Sequence, residues 1–146
     1  RLCVKNSGSS NDCSAKGDID YLLKITEALP PQKTFIAAGH ASFGQTSRII
    51  VRAVAYIGVD TATSHIAAAT GIPCVCLYGP TPVDTWGPAP KCGQSTPYSN
   101  DLDIQTVGNV TVVRRDNTDI LAQAALAISA LTTTRLNYHV ACRVFL

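Results

Sequence analysis

The stretch that decides the fold is Ala55–Pro88, AYIGVDTATSHIAAATGIPCVCLYGPTPVDTWGP. It opens on a short apolar run, Ala55 to Val59, with the composition of a buried strand. Asp60 ends that run, and the chain turns into a helix of small residues from Thr61 to Thr70. Gly71 supplies a left-handed cap and Pro73 forbids continuation. A second buried strand, Cys74 to Tyr78, runs into the loop Gly79-Pro80-Thr81-Pro82. Strand, helix, strand in this order predicts a parallel βαβ unit. Such units leave a crevice outside the carboxyl ends of their strands, where α/β folds bind nucleotides.

The flanks extend the same alternation. Residues 1–17 are polar and read as a loop or frayed start. From Asp18 the sequence DIDYLLKITEAL predicts a helix, with acids in its first turn, an apolar stripe through Leu22, Leu23 and Leu29, and Pro30-Pro31 as its stop. Thr34 to Ala38 predicts a short strand. His40 to Ser47 predicts a loop, with Ser47 capping a helix over Arg48–Ala53. Residues 79–109 hold most of the Pro and Gly and predict a long irregular segment, with Trp86 either a platform for the loop or, the favoured reading, a plug of the core. Val110–Val113 predicts a last strand, and Asp119–Leu131 an amphipathic helix. The tail, 132–146, shows no clear period. The expected fold class is α/β, a Rossmann-like parallel sheet with flanking helices, occupying residues 18–131.

Composition sets the bounds. A chain of 146 residues fits one domain and can bury a core. It is 46% hydrophobic and 15% charged, which indicates a well-buried sheet rather than disorder. A net charge of +2, scattered along the chain, argues against nucleic acid as a partner. No apolar run approaches the ~18 residues of a membrane span. The start, RLCVKNSGSS, lacks a signal-peptide pattern, so a cytoplasmic location is expected. The chain contains no Met and is expected to be a piece of a longer protein. Six cysteines form no zinc-ligand spacing. Cys74 and Cys76 alternate onto one face of their strand and are expected to be buried thiols.

The chemistry gathers around Asp60. Thr61, Thr63 and Ser64 follow it in the first turn of the predicted helix. Free backbone N–H groups there attract a phosphate, and small hydroxyl side chains let it approach. His65 lies in the same turn, placed to donate to a phosphate oxygen or a sugar hydroxyl. Thr81, in the loop after the next strand, is expected near the same mouth. The same residue types also make an ordinary capped helix start with His65 on the surface, so the residues alone leave both readings open. Neither a Walker loop nor G-x-G-x-x-G is present.

Taken together, the run resembles the C-terminal signature of the bacterial heptosyltransferases, the family nine glycosyltransferases of lipopolysaccharide core assembly. Their pattern is V-G-[VN]-D-[ST]-[GA]-x-x-H-x-A-A-A-x-G-x-P, then a strand, then [LF]-[FY]-G-P-T-x-P, then W-G-P. This chain supplies Gly58-Val59-Asp60-Thr61-Ala62, His65, Ala67-Ala68-Ala69, Gly71 and Pro73, then Leu77–Pro82, then Trp86-Gly87-Pro88. The strand VGNVTVV, Val107–Val113, resembles the next one in that family.

The resemblance implies one half of a two-domain GT-B enzyme, the half that binds the nucleotide-diphosphate sugar donor. It implies that Asp60, Thr61, Ala62 and Thr63 lie against the donor's diphosphate and sugar, largely through backbone N–H groups. Ser64 and Thr81 belong to the same expected donor set, with His65 supporting the loop. The family's lysine before the first helix has Lys16 as its nearest counterpart. No metal and no cofactor are expected, because helix dipoles and a basic side chain stabilise the leaving diphosphate. The general base and the lipopolysaccharide core acceptor site belong to an N-terminal domain absent from this sequence. Membrane association is expected to be peripheral at most, at the inner face.

The chain also departs from the family. No acid follows Gly39, where relatives often hold the ribose; His40-Ala41-Ser42-Phe43-Gly44-Gln45 stands there instead. Asp116-Asn117-Thr118 stands where many relatives carry a Cys cluster. The rival readings are a catalytically inert nucleotide-binding remnant, a nucleotide-sugar epimerase, and an interaction domain whose crevice is only packing.

Overall fold

A computed structural model describes residues 41–91 and 98–114 continuously, together with 2–3, 23–24, 27 and 35–36. The predicted helix over 119–131, the tail and Lys16 lie outside the described residues. Leu23, Lys24 and Glu27 are helical, in keeping with the helix predicted from Asp18, although Leu23 is 48% exposed.

Two short strands, β1 (Leu2–Cys3) and β2 (Phe35–Ile36), pair in parallel. The main sheet contains β3 (Tyr56–Val59), β4 (Cys74–Tyr78), β5 (Ile104–Val107) and β6 (Val110–Arg114). Its order is β3-β4-β6-β5. β3 runs parallel to β4, and β4 parallel to β6, in unbroken register from Cys74↔Val110 to Tyr78↔Arg114. Helices α1 (Phe43–Val51) and α2 (Ala62–Thr70) and the single turn α3 (Val83–Trp86) complete the described elements.

The expected α/β class holds, with one correction. The sheet is mixed, because β5 lies antiparallel to β6 at the edge. The reason is local. Val107 pairs with Val110, so Gly108-Asn109 is a two-residue hairpin loop, and Gly108 takes a left-handed φ of 58°. The segment 79–109 is therefore not irregular throughout; it contains α3 and β5.

The start of α1 is a second correction. Ser42, not Ser47, caps it. The Ser42 hydroxyl accepts from the Gln45 amide at 3.3 Å, and the Gln45 side chain accepts from the Ser42 amide at 2.8 Å. Ser47 lies inside the helix and donates to the Phe43 carbonyl at 2.8 Å. Ile49, Ile50 and Val51 are β-branched and weak helix formers, but Ile50 is fully buried in the core. Packing outweighs propensity here.

That core gathers Ile50 and Ala53 with Tyr56, Cys74, Cys76, Val110 and Val112 from one sheet face, and Ala67 and Ala68 from α2. Both alanines are fully buried, so their size sets how closely α2 approaches the sheet. Cys74 and Cys76 are free thiols, buried as expected. Burial pushes the Cys74 thiol up to about 12 and the Cys76 thiol well above its usual value. Both therefore remain neutral at physiological pH, packing as small apolar groups.

Gly71 closes α2 with φ 80°, as predicted. Asn109 then fastens that end of the helix to the hairpin. Its side-chain amide donates to the carbonyls of Ala68 at 3.0 Å and Ile72 at 2.8 Å, and its side-chain oxygen accepts from the Lys91 amide at 3.2 Å. Its own carbonyl accepts from the Cys74 amide at 2.8 Å. Asn109→Ala would leave the Ala68 and Ile72 carbonyls without these donors, at about 1 kcal/mol per bond. The expected result is a loss of about 2 kcal/mol in urea unfolding at unchanged m.

Candidate functional site

The site grows from the carboxyl ends of β3 and β4. β3 carries the chain to Asp60, and Thr61 begins α2 as its N-cap, with extended backbone at φ −152°, ψ 168°. β4 carries it to Gly79, and Pro80-Thr81-Pro82 leads into α3. Because β3 and β4 are parallel neighbours, both loops emerge at one end of the sheet.

Tyr78 ties the two loops together. Its hydroxyl donates to the Trp86 carbonyl at 2.8 Å. The same hydroxyl is within hydrogen-bonding reach of the Asp60 carboxylate. Burial first, and then the negative charge of Asp60, push the Tyr78 phenol up, so it stays protonated and keeps a proton to donate. Asp60 itself is half-buried, with its carboxylate beside Tyr78 and close enough to Cys76 to raise that thiol further.

The first turn of α2 is ordered by hydroxyls. Ser64 is fully buried, and its Oγ donates to the Thr61 carbonyl at 2.7 Å and accepts from the Thr61 amide at 3.4 Å. The Ser64 amide donates to the Thr61 carbonyl at 3.0 Å. Ser64 thus ties the turn from within. Ala62 and Thr63 are the first two residues of α2, positions whose amides have no intrahelical acceptor. Thr61, Ala62 and His65 are exposed, while Thr63 and Thr81 are half-buried. The hydroxyls of Thr61 and Thr63 lie 2.8 Å apart, and Thr63 is also 2.8 Å from the Tyr56 hydroxyl. The described part of the expected donor set therefore lies on these two loops and the first turn of α2, with Ser64 pointing inward.

Trp86 does not plug the core. It is 58% exposed, and the buried face of α3 is provided by Val83. The buried aromatic beside this turn is Tyr98, 4% exposed, whose hydroxyl donates to the Pro88 carbonyl at 3.0 Å. Tyr98 lies in the segment read as irregular, and its role had no periodic signal to announce it. Asn100 was missed for the same reason; its side-chain oxygen accepts from the Val83 amide at 2.9 Å and fixes the start of α3.

With this geometry in place, comparison with known proteins is decisive at the family level. Residues 13–111 match the family model "Glycosyltransferase family 9 (heptosyltransferase)". The chain belongs to glycosyltransferase family 9. Two relatives are similar to it, both named lipopolysaccharide heptosyltransferase 3. One, from Escherichia coli, is 33% identical over 73 residues, covering 50% of this chain and 22% of the relative. The other, from Escherichia coli strain K12, is 43% identical over 51 residues, covering 35% of this chain and 15% of the relative. The matched stretches of the chain thus span less than a quarter of the length of these two relatives. No solved structure matches significantly. Among the described residues, no helix is long and apolar enough to cross a membrane, and no group of His, Cys, Asp and Glu is arranged to hold a metal ion. The family 9 match covers both loops of the site and ends at Thr111, the second residue of β6.

Proposed function

We propose that this chain is the donor-binding part of a GT-B glycosyltransferase, binding a nucleotide-diphosphate sugar at the loops after β3 and β4. The observation that carries the reading is the first turn of α2. Its leading amides open at the carboxyl end of β3, on a segment that belongs to family 9. The partial positive charge of a helix N-terminus stabilises a leaving diphosphate. The whole enzyme transfers a heptose or related sugar to a lipopolysaccharide core acceptor at the inner face of the membrane. Residues 18–131 form the donor domain, and a separate domain brings the acceptor and the carboxylate that deprotonates it. Thr61, Ala62 and Thr63 contact the donor's diphosphate, while Asp60 and Thr81 face its sugar and His65 supports the loop. Lys16 is the basic side chain assigned to the phosphates.

Trp86 provides the test. It is the single tryptophan of the chain, it is exposed, and its carbonyl is held by the tyrosine that reaches Asp60. Titration with ADP, UDP and GDP is expected to change Trp86 fluorescence saturably for one of the three, with Kd below ~1 mM. Failure of all three to bind would favour the inert remnant, a reading that the missing acid after Gly39 also fits.

A further inference from the structure

Tyr56 belongs to no sequence motif of the site, yet its side chain reaches the middle of it. Its ring leaves the first residue of β3 on the same face as Gly58, two residues on. The hydroxyl passes over the Gly58 Cα, so a Cβ at position 58 would run into the phenol oxygen and its ring carbon. It ends 2.8 Å from Thr63 Oγ1, which is itself 2.8 Å from Thr61 Oγ1. Tyr56 and Thr61 are also within hydrogen-bonding reach of each other, so the three hydroxyls form one cluster. Thr61 Oγ1 also donates to the Val59 carbonyl, over a long 3.4 Å. Tyr56 is 1% exposed, whereas Thr61 is on the surface. The cluster therefore runs from the core to the mouth.

We propose that Tyr56 is a positioning residue of the diphosphate site, acting on the ligand through the hydroxyls of Thr63 and Thr61. The inference rests on the donor-binding reading above. Thr61 Oγ1 donates to the Val59 carbonyl, so within the Thr61–Thr63 pair it accepts and its own proton points out of the cluster. It rests on the Val59 carbonyl at a length that makes a weak bond. An anionic oxygen at the first turn of α2 is a stronger acceptor than that carbonyl, since hydrogen bonds to charged groups are about twice as strong. The Thr61 proton turns toward it, and donation from Tyr56 and Thr63 polarises the Thr61 hydroxyl in the same direction. The phenol cannot be lost to titration under working conditions, because burial pushes Tyr56 up to about 12. Gly58 is what admits the ring to this position.

The test uses the nucleotide that binds in the titration above and compares its diphosphate with its monophosphate. Tyr56→Phe is expected to weaken the diphosphate three- to tenfold and leave the monophosphate within twofold. Thr63→Val is expected to do the same, Thr63→Ser to restore wild-type binding, and the double variant Tyr56→Phe/Thr63→Val to lose no more than either single change. Equal binding of the diphosphate by wild type and Tyr56→Phe would overturn the proposal, as would equal losses for diphosphate and monophosphate. Should Tyr56→Phe fail to fold, Thr63→Val decides, because its side chain is only half-buried. Failure of the wild-type chain to bind any nucleotide would remove the donor-binding reading itself; wild-type binding with indifferent variants would remove only the role of Tyr56.

Discussion

Gly87→Ala is expected to lower stability by about 3 kcal/mol, the upper end of the range for overpacking a tight site. The glycine is not required by its backbone, which has the ordinary angles φ −58° and ψ 141°. It is required by space. A Cβ would stand 2.5 Å from the Val83 carbonyl oxygen and collide with the edge of the Tyr98 ring. Neither neighbour can yield cheaply. The Val83 oxygen is held by the Gly87 amide at 2.8 Å, and Tyr98 is pinned by its bond to the Pro88 carbonyl at 3.0 Å. Any shift would also draw the Trp86 carbonyl away from Tyr78 and loosen the link between the two loops. Urea unfolding at constant m measures the effect. Gly79→Ala is the control: nothing lies within 4 Å of its added Cβ, and its stability should stay within about 0.5 kcal/mol of wild type. A Gly87→Ala chain as stable as that control would show that the Trp-Gly-Pro segment is not packed as described.

Much of the central unit was legible because its signals are local. The strand bounds at Cys74 and Tyr78, the helix ending at Thr70 and the left-handed Gly71 each follow from composition and punctuation within a few residues. The errors fall where one local signal hides another, or where a more distant residue decides. Ser47 looks like a cap until Gln45 is seen reaching back to Ser42. The Ser-x-x-Gln spacing was in the sequence, but the β-branched residues downstream hid the helix it starts. Gly108-Asn109 between two alternating runs is likewise a hairpin signal in plain view, lost among the prolines of the same segment. Trp86 went wrong for a different reason. Large aromatics are usually buried, yet Tyr98, twelve residues later, takes the buried place.

The places of the expected site residues in the fold were legible, and the directions of their side chains were not. Asp60, Thr61 and Thr63 are where the pattern put them, but nothing in the pattern says that Ser64 points inward or that Tyr56 reaches Thr63 from below. Side-chain direction depends on what the surrounding residues leave open, and here that is the bare Gly58 two residues along the same strand.

Asp60→Ala is expected to weaken binding of the nucleotide sugar at least tenfold, about 1.4 kcal/mol. Its carboxylate stands at the carboxyl end of β3 beside a tyrosine that remains protonated. A carboxylate repels a diphosphate, so its useful partners are the hydroxyls of the sugar, and hydrogen bonds to a charged acceptor contribute about 1.5–3 kcal/mol each. The loss should therefore be larger for ADP-, UDP- or GDP-linked sugar than for the matching nucleoside diphosphate, whose phosphates gain slightly when the negative charge goes. Asp60→Asn keeps the shape and one acceptor and should fall between wild type and alanine. Stability should move by no more than about 1 kcal/mol, because Thr61 and Ser64 hold the turn without Asp60. Calorimetric titration beside thermal unfolding separates the two effects. Equal losses for nucleotide and nucleotide sugar would place Asp60 at the phosphates, and collapse of the fold in both variants would make it a packing residue instead.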